Sequence, residues 1–89
     1  ATIRGMIVQA VENFRVNVRT AMSHRELSQE DLAAKAQMGR PFLNRLLQGK
    51  QKPSLDVCDR IGDALGISVS DLVAPPKKFL KSLPKAIAT

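Results

Sequence analysis

Eighty-nine residues, with three phenylalanines, one cysteine and no tryptophan or tyrosine, describe one small domain with an aliphatic core and no internal disulfide. The net charge of +6 suits a polyanionic partner, or simply a basic surface. A lone cysteine points to a reducing cytoplasm, no apolar run approaches the roughly 20 residues of a membrane span, and no secretory pattern is present. The chain opens on Ala1, as either a processed start or an excised fragment would.

Ile3, Ile7, Val11, Phe14, Val18 and Met22 recur at helical spacing, with Arg4, Glu12, Arg15 and Arg19 largely off the stripe. One amphipathic helix is predicted over about Ile3 to Met22. Its stripe packs on its own domain, the run being short for a coiled-coil seam. Ser28 caps a second helix, with Asp31 as capping-box partner and Glu30 at the positive end. Leu32, Ala33 and Ala36 form its inner face. Gln37-Met38-Gly39 is a turn.

Gly39 and Pro41 then suit the start of a third helix, because proline lacks an N–H that the first turn would leave unsatisfied. Leu43, Leu46 and Leu47 fall on one side of it; Arg40, Asn44, Arg45 and Gln48 are available to the other. Gly49 supplies the left-handed residue that ends it. Lys50 to Pro53 is a basic loop. Ser54 caps a fourth helix whose inner face is Leu55, Cys58, Ile61, Gly62 and Leu65, closed by Gly66; Cys58 reads as a small core residue. Ser68 and Asp71 open a short fifth helix that buries Val69 and Leu72. Period-two alternation is absent throughout.

After Ala74 the character changes. Pro75-Pro76 stops the helix, and Lys77, Lys78, Lys81 and Lys85 follow with no acid, around Phe79, Leu80 and Leu83. The predicted division is a domain over 1–73 and a basic tail over 74–89. The tail is a linker, an arm that touches nucleic acid, or a segment that docks on a second subunit.

Charge is distributed unevenly. From Arg40 to Lys52 stand four cations (Arg40, Arg45, Lys50, Lys52) and no acid; from Ser54 to Val73 stand Asp56, Asp59, Asp63 and Asp71 against Arg60 alone. Two short capped helices around a tight turn, the second carrying arginines, have the layout of a helix-turn-helix, whose second helix enters the DNA major groove.

The residues Leu27-Ser28-Gln29-Glu30-Asp31-Leu32-Ala33, then Leu43…Leu46…Gly49-Lys50…Pro53-Ser54-Leu55, then Ile61…Ala64-Leu65-Gly66-Ile67-Ser68-Val69…Asp71-Leu72 resemble the Cro/CI-type (XRE) helix-turn-helix family of phage repressors and bacterial regulators. The resemblance implies an all-α, compact five-helix bundle like the DNA-binding domain of phage lambda repressor. It implies that Arg40, Pro41, Asn44 and Arg45 meet base edges. It gives Gln29 a phosphate and the bracing of the reading helix, and places Gln48, Gly49 and Lys50 at the DNA backbone. The resulting phosphate set is Ser28, Gln29, Gln48, Lys50 and Lys52. A homodimer on an inverted repeat is also implied, joined around the fifth helix and the tail. Three features depart from the family's pattern. Gln37 stands where many members have glycine, and Gly39 where many have serine or threonine. Met22 and Leu47 replace an arginine late in the first helix and a glutamate in the third. Losing both halves of a buried ion pair together is coherent, since losing one alone is costly. It predicts van der Waals contact between Met22 and Leu47.

Chemically, the arginine fork of Arg40 matches guanine O6 and N7, or serves as a phosphate contact. Asn44 has the donor and acceptor for adenine N6 and N7, or sits on a solvated face. Arg45 reads a base or grips a phosphate. Pro41 and Phe42 offer only apolar contact, to a thymine methyl; the preferred reading of Phe42 folds it back to extend the core. Catalysis has little to work with. His24 reads as a solvated turn residue, Asp59 and Asp63 as a solvated face, no Cys/His cluster suits zinc and no glycine-rich loop suits a nucleotide. No cofactor or small-molecule ligand is implied. Two other classes share the fold or the charge: an antitoxin-like protein-interaction module, and a non-specific basic DNA binder.

Overall fold

Local capping sets where the helices begin. Thr2 Oγ1 accepts from Gly5 N at 3.1 Å and opens α1 (Ile3–His24). Ser28 Oγ accepts from Asp31 N while the Asp31 carboxylate accepts from Ser28 N, so both halves of the capping box form ahead of α2 (Gln29–Lys35). Gly39 and Pro41 open α3 (Arg40–Leu47). Ser54 Oγ accepts from Val57 N at the start of α4 (Leu55–Leu65), and Gly66, at φ +68°, ends it. Ser68 does the same for α5 (Val69–Leu72), and α6 (Pro76–Ser82) follows. The computed structural model describes residues 2–83, and every regular element among them is a helix.

One buried cluster joins the helices: Phe14, Val18, Ala21 and Met22 from α1, Leu32 and Ala33 from α2 with Ala36 beyond its end, Leu43, Leu46 and Leu47 from α3, Cys58, Ile61 and Leu65 from α4, Leu72 from α5 and Phe79 from α6. Helices of four to eleven residues, as α2 to α5 are, are marginal alone in water, so this burial and not propensity keeps them helical. Each fully buried leucine contributes about 1.5–3 kcal/mol, which makes the three of α3 its main attachment. Met22 and Leu47 both belong to this cluster. Burial pushes the Cys58 thiol above its ordinary pKa, consistent with a core role.

The expected five helices are six. Pro75-Pro76 does not stop structure: Pro75 is the N-cap and Pro76 the first residue of α6, where a missing N–H costs nothing. Phe79, 1% exposed, carries that helix into the core, so packing continues past residue 74. Lys85 lies outside the described residues.

Three apolar side chains are not where periodicity predicted. Ile3 and Ile7 are 77% and 59% exposed, because α1 outruns the globule and its first buried residue is Asn13. Leu55 is 83% exposed, since it occupies the first position of α4, before the helix meets its neighbours. Phe42 is half-buried and stands outside the core cluster instead of extending it. His24 closes α1 and is half-buried rather than lying in a solvated turn.

Gly62 marks the closest approach of α4 to the segment that follows it. A Cβ there would sit 2.7 Å from the Ile67 carbonyl oxygen, which is backbone and cannot swing away. Gly62→Ala would gain about 1 kcal/mol of helix propensity and lose about 3 kcal/mol to overpacking. A net loss of about 2 kcal/mol is expected in denaturant unfolding, and an unchanged midpoint would contradict the close approach.

Candidate nucleic-acid interface

Eight residues make α3 about 12 Å long, and its two sides differ in chemistry. Leu43, Leu46 and Leu47 are buried; Arg40, Pro41 and Arg45 are exposed and Asn44 half-buried. The latter four are spaced to share one side of the helix, and together they line a shallow, open recess. The four residues predicted to meet base edges therefore lie together, with no acid among them.

Asn44 is not a free surface amide. Its Nδ2 donates to Gln29 Oε1 at 3.0 Å, tying α3 to the first residue of α2. An asparagine carries two amide hydrogens and one acceptor oxygen, so Oδ1 and one N–H remain, the complement of adenine N6 and N7. Gln29 contributes its oxygen to the bond and keeps both Nε2 hydrogens, which suits an acceptor-only phosphate. Ser28 Oγ accepts from Asp31 N as the α2 cap and retains its hydroxyl proton to donate. Gln48, Lys50 and Lys52 are exposed at and beyond the α3 exit.

That exit is closed by its own backbone. Gly49, at φ +81°, lets Lys50 N donate to the Arg45 carbonyl at 2.9 Å and Gly49 N to that of Leu46 at 3.2 Å. Two arginines of α1 reach the same place, and the sequence reading gave them no role. Arg15, ion-paired with Glu12, lies so close that a Cβ on Gly49 would meet its Nη1 at 2.9 Å. Arg19 donates from Nε and Nη2 to the Leu47 carbonyl at 3.2 and 2.6 Å. Their only signal in the sequence is that both are cations beside the apolar stripe.

Glu12 puts one acid beside that exit, and the acids of α4 stand elsewhere. Asp56, Asp59 and Asp63 lie exposed along α4, Asp56 paired with Arg60 at 3.2 Å. The pair is solvated and contributes little stability. Arg60 also donates to the Gln37 carbonyl at 3.4 Å, which pins the α2–α3 turn to α4. Among the described residues no group of histidine, cysteine and carboxylate side chains is arranged to hold a metal, and no helix is long and apolar enough to cross a membrane.

Gln37 holds the turn at φ +56°, a left-handed conformation that costs a side-chain-bearing residue about 1–2 kcal/mol. Gln37→Gly removes that cost and adds about 0.5–1 kcal/mol of unfolded-state entropy. The variant is expected to be more stable by roughly 0.5–1 kcal/mol, read as a higher denaturation midpoint. A lower midpoint would mean the glutamine side chain is worth more than its strain.

Comparison with known proteins gives one match in kind. A family model described as helix-turn-helix covers residues 18–72, from the second half of α1 through α5. No curated protein and no solved structure matches the chain.

Proposed function

Because the chain belongs to the helix-turn-helix family, as a DNA-binding domain of the Cro/CI (XRE) type, we propose that it is a transcriptional repressor that reads an inverted-repeat operator as a homodimer. Its work is binding, not catalysis. The observation that carries this reading is the division of α3: leucines inward, and Arg40, Pro41, Asn44 and Arg45 together outward with no acid among them. A helix about 10–12 Å across fills a major groove about 12 Å wide, so side chains on that outward side meet base edges.

Within the groove, Arg40 presents its fork to a guanine, and Asn44 its remaining N–H and Oδ1 to an adenine. Arg45 takes a base or phosphate further along, and Pro41 offers an apolar surface to a thymine methyl. Around the groove, the Ser28 hydroxyl, Gln29 Nε2, Gln48, Lys50 and Lys52 hold phosphates and set the register. Gln29 links the two sets, since its oxygen holds Asn44 and its Nε2 hydrogens are left to donate to a phosphate.

One α3 spans few base pairs, so useful specificity calls for two copies with half-sites about 34 Å apart. The proposed contact lies around α5 and α6, where Leu80 stands exposed beside half-buried Leu83.

Duplexes selected from a random pool are expected to contain an inverted repeat with half-site centres about one helical turn apart. On that duplex Arg40→Ala should cost about 1–3 kcal/mol and relax one base position. Lys50→Ala should weaken matched and mismatched duplexes alike and reduce the salt slope by about one. Binding with a steep salt slope and no preferred duplex would reassign the protein as a non-specific binder and end this proposal.

A further inference from the structure

The end of α3 poses an accounting question. A helix leaves its last carbonyls without intrahelical donors, and a half-buried carbonyl left alone is costly. At the end of α3 the Asn44 carbonyl accepts from Gln48 N, that of Arg45 from Lys50 N and that of Leu46 from Gly49 N. The last, that of Leu47, accepts from Arg19 through two nitrogens of its guanidinium. Three are closed by the helix's own continuation; the fourth is closed by a side chain from another helix.

We propose that Arg19 is a positioning residue for α3: its fork on the Leu47 carbonyl fixes how far along and about its axis the reading helix sits on α1, and so where Arg40, Asn44 and Arg45 meet the bases. The inference rests on the reading of α3 given above. Two further features place the burden on Arg19. The side chains at 22 and 47 are a methionine and a leucine buried in the core, and core packing tolerates small axial slips that a two-pronged hydrogen bond does not. The guanidinium also sits at the negative end of the helix dipole, where a cation is favoured. The cation that steadies α3 thus acts on backbone, and the side chain at 47 is released to the core.

This role differs from a phosphate contact in what it predicts. A positioning residue changes discrimination between duplexes. A phosphate contact changes affinity for all of them equally and lowers the salt slope by about one. It also tolerates lysine, a point charge, whereas a fork closing on one carbonyl is poorly replaced by it.

The test compares the full chain with Arg19→Met and Arg19→Lys, on the duplex preferred by the wild type and on a scrambled duplex, at several salt concentrations below the unfolding transition. Hydrogen exchange at the Gly49 and Lys50 amides is measured alongside. Arg19→Met is expected to bind the preferred duplex about tenfold more weakly, the effect of losing one charged hydrogen bond. Its affinity for the scrambled duplex should stay within about twofold of the wild type, and its salt slope should not fall by about one. Arg19→Lys should fall nearer to Arg19→Met than to the wild type, and both amides should exchange faster in each variant. Unchanged discrimination overturns the inference, and so does an equal loss on both duplexes with a shallower slope. If Arg19→Met does not fold, the discrimination of Arg19→Lys decides by the same criterion. A wild-type protein with no preferred duplex removes the reading helix itself, and the role of Arg19 with it.

Discussion

A single long helix, with the residue that caps it, holds the carbonyl ends of three short ones. Asn13 Nδ2 donates to the Val73 carbonyl, and Asn17 Nδ2 to those of Leu72 and Ala74, all at the end of α5. Arg19 closes α3, and Arg25, just past the end of α1, donates to the Leu65 carbonyl at the end of α4. The remaining short helix of the motif, α2, has its exit turn held by Arg60 through the Gln37 carbonyl. Helix ends are where short helices fray, because the unpaired groups there gain nothing from folding unless something donates to them. With 22 residues, α1 is long enough to present such donors turn after turn. The apolar cluster holds the bundle together, and polar contacts along one rod close the helix ends beside it.

This arrangement explains how an eight-residue helix is held rigid. Its inner side is fixed by three leucines, its exit by Gly49 and Arg19, and its middle by the Gln29–Asn44 bond. Its entry follows a turn that carries strain at Gln37 and is restrained from α4 by Arg60. Fixing the helix in advance matters because each side chain ordered during binding subtracts from affinity. The acids of α4 lie outside the Arg40–Lys52 segment, which itself carries four cations and no acid, and Glu12 beside its exit is paired with Arg15.

What the sequence revealed follows a physical line. Features decided within a few residues were legible: the serine caps at 28, 54 and 68, the glycine ends at 49 and 66, and the leucines of α3 at helical spacing. Features decided by what lies across the fold were not. Ile3, Ile7 and Leu55 obey the period of their helices, yet they are exposed because nothing in the described chain covers them. Phe79 looked like part of a basic tail, since burial of one aromatic in a lysine-rich stretch depends on the packing of α6 against α1 and α5. Asn13 and Asn17 drew no role from the sequence; their partners are backbone oxygens 60, 55 and 57 residues away. Side-chain patterning carries no record of which carbonyls a fold leaves open.

The departures at 22 and 47 belong to the same logic. A buried arginine–glutamate pair holds two helices together only if both charges are fully satisfied, and it costs desolvation on each. A guanidinium one turn earlier on α1, at Arg19, stays largely in water, keeps its charge solvated on one edge and bonds a backbone oxygen that exists whatever residue occupies position 47. The interhelical tie then needs one charged residue instead of two, and the core gains two apolar side chains in their place. The same separation reaches the outward side of α3. Because α3 is held through its backbone and its leucines, Arg40 and Arg45 take no part in holding it. Asn44 alone of the outward residues takes part, since its amide is bonded to Gln29. The chemistry at positions 40 and 45 is thus independent of the scaffold, whereas position 44 is tied to the first residue of α2.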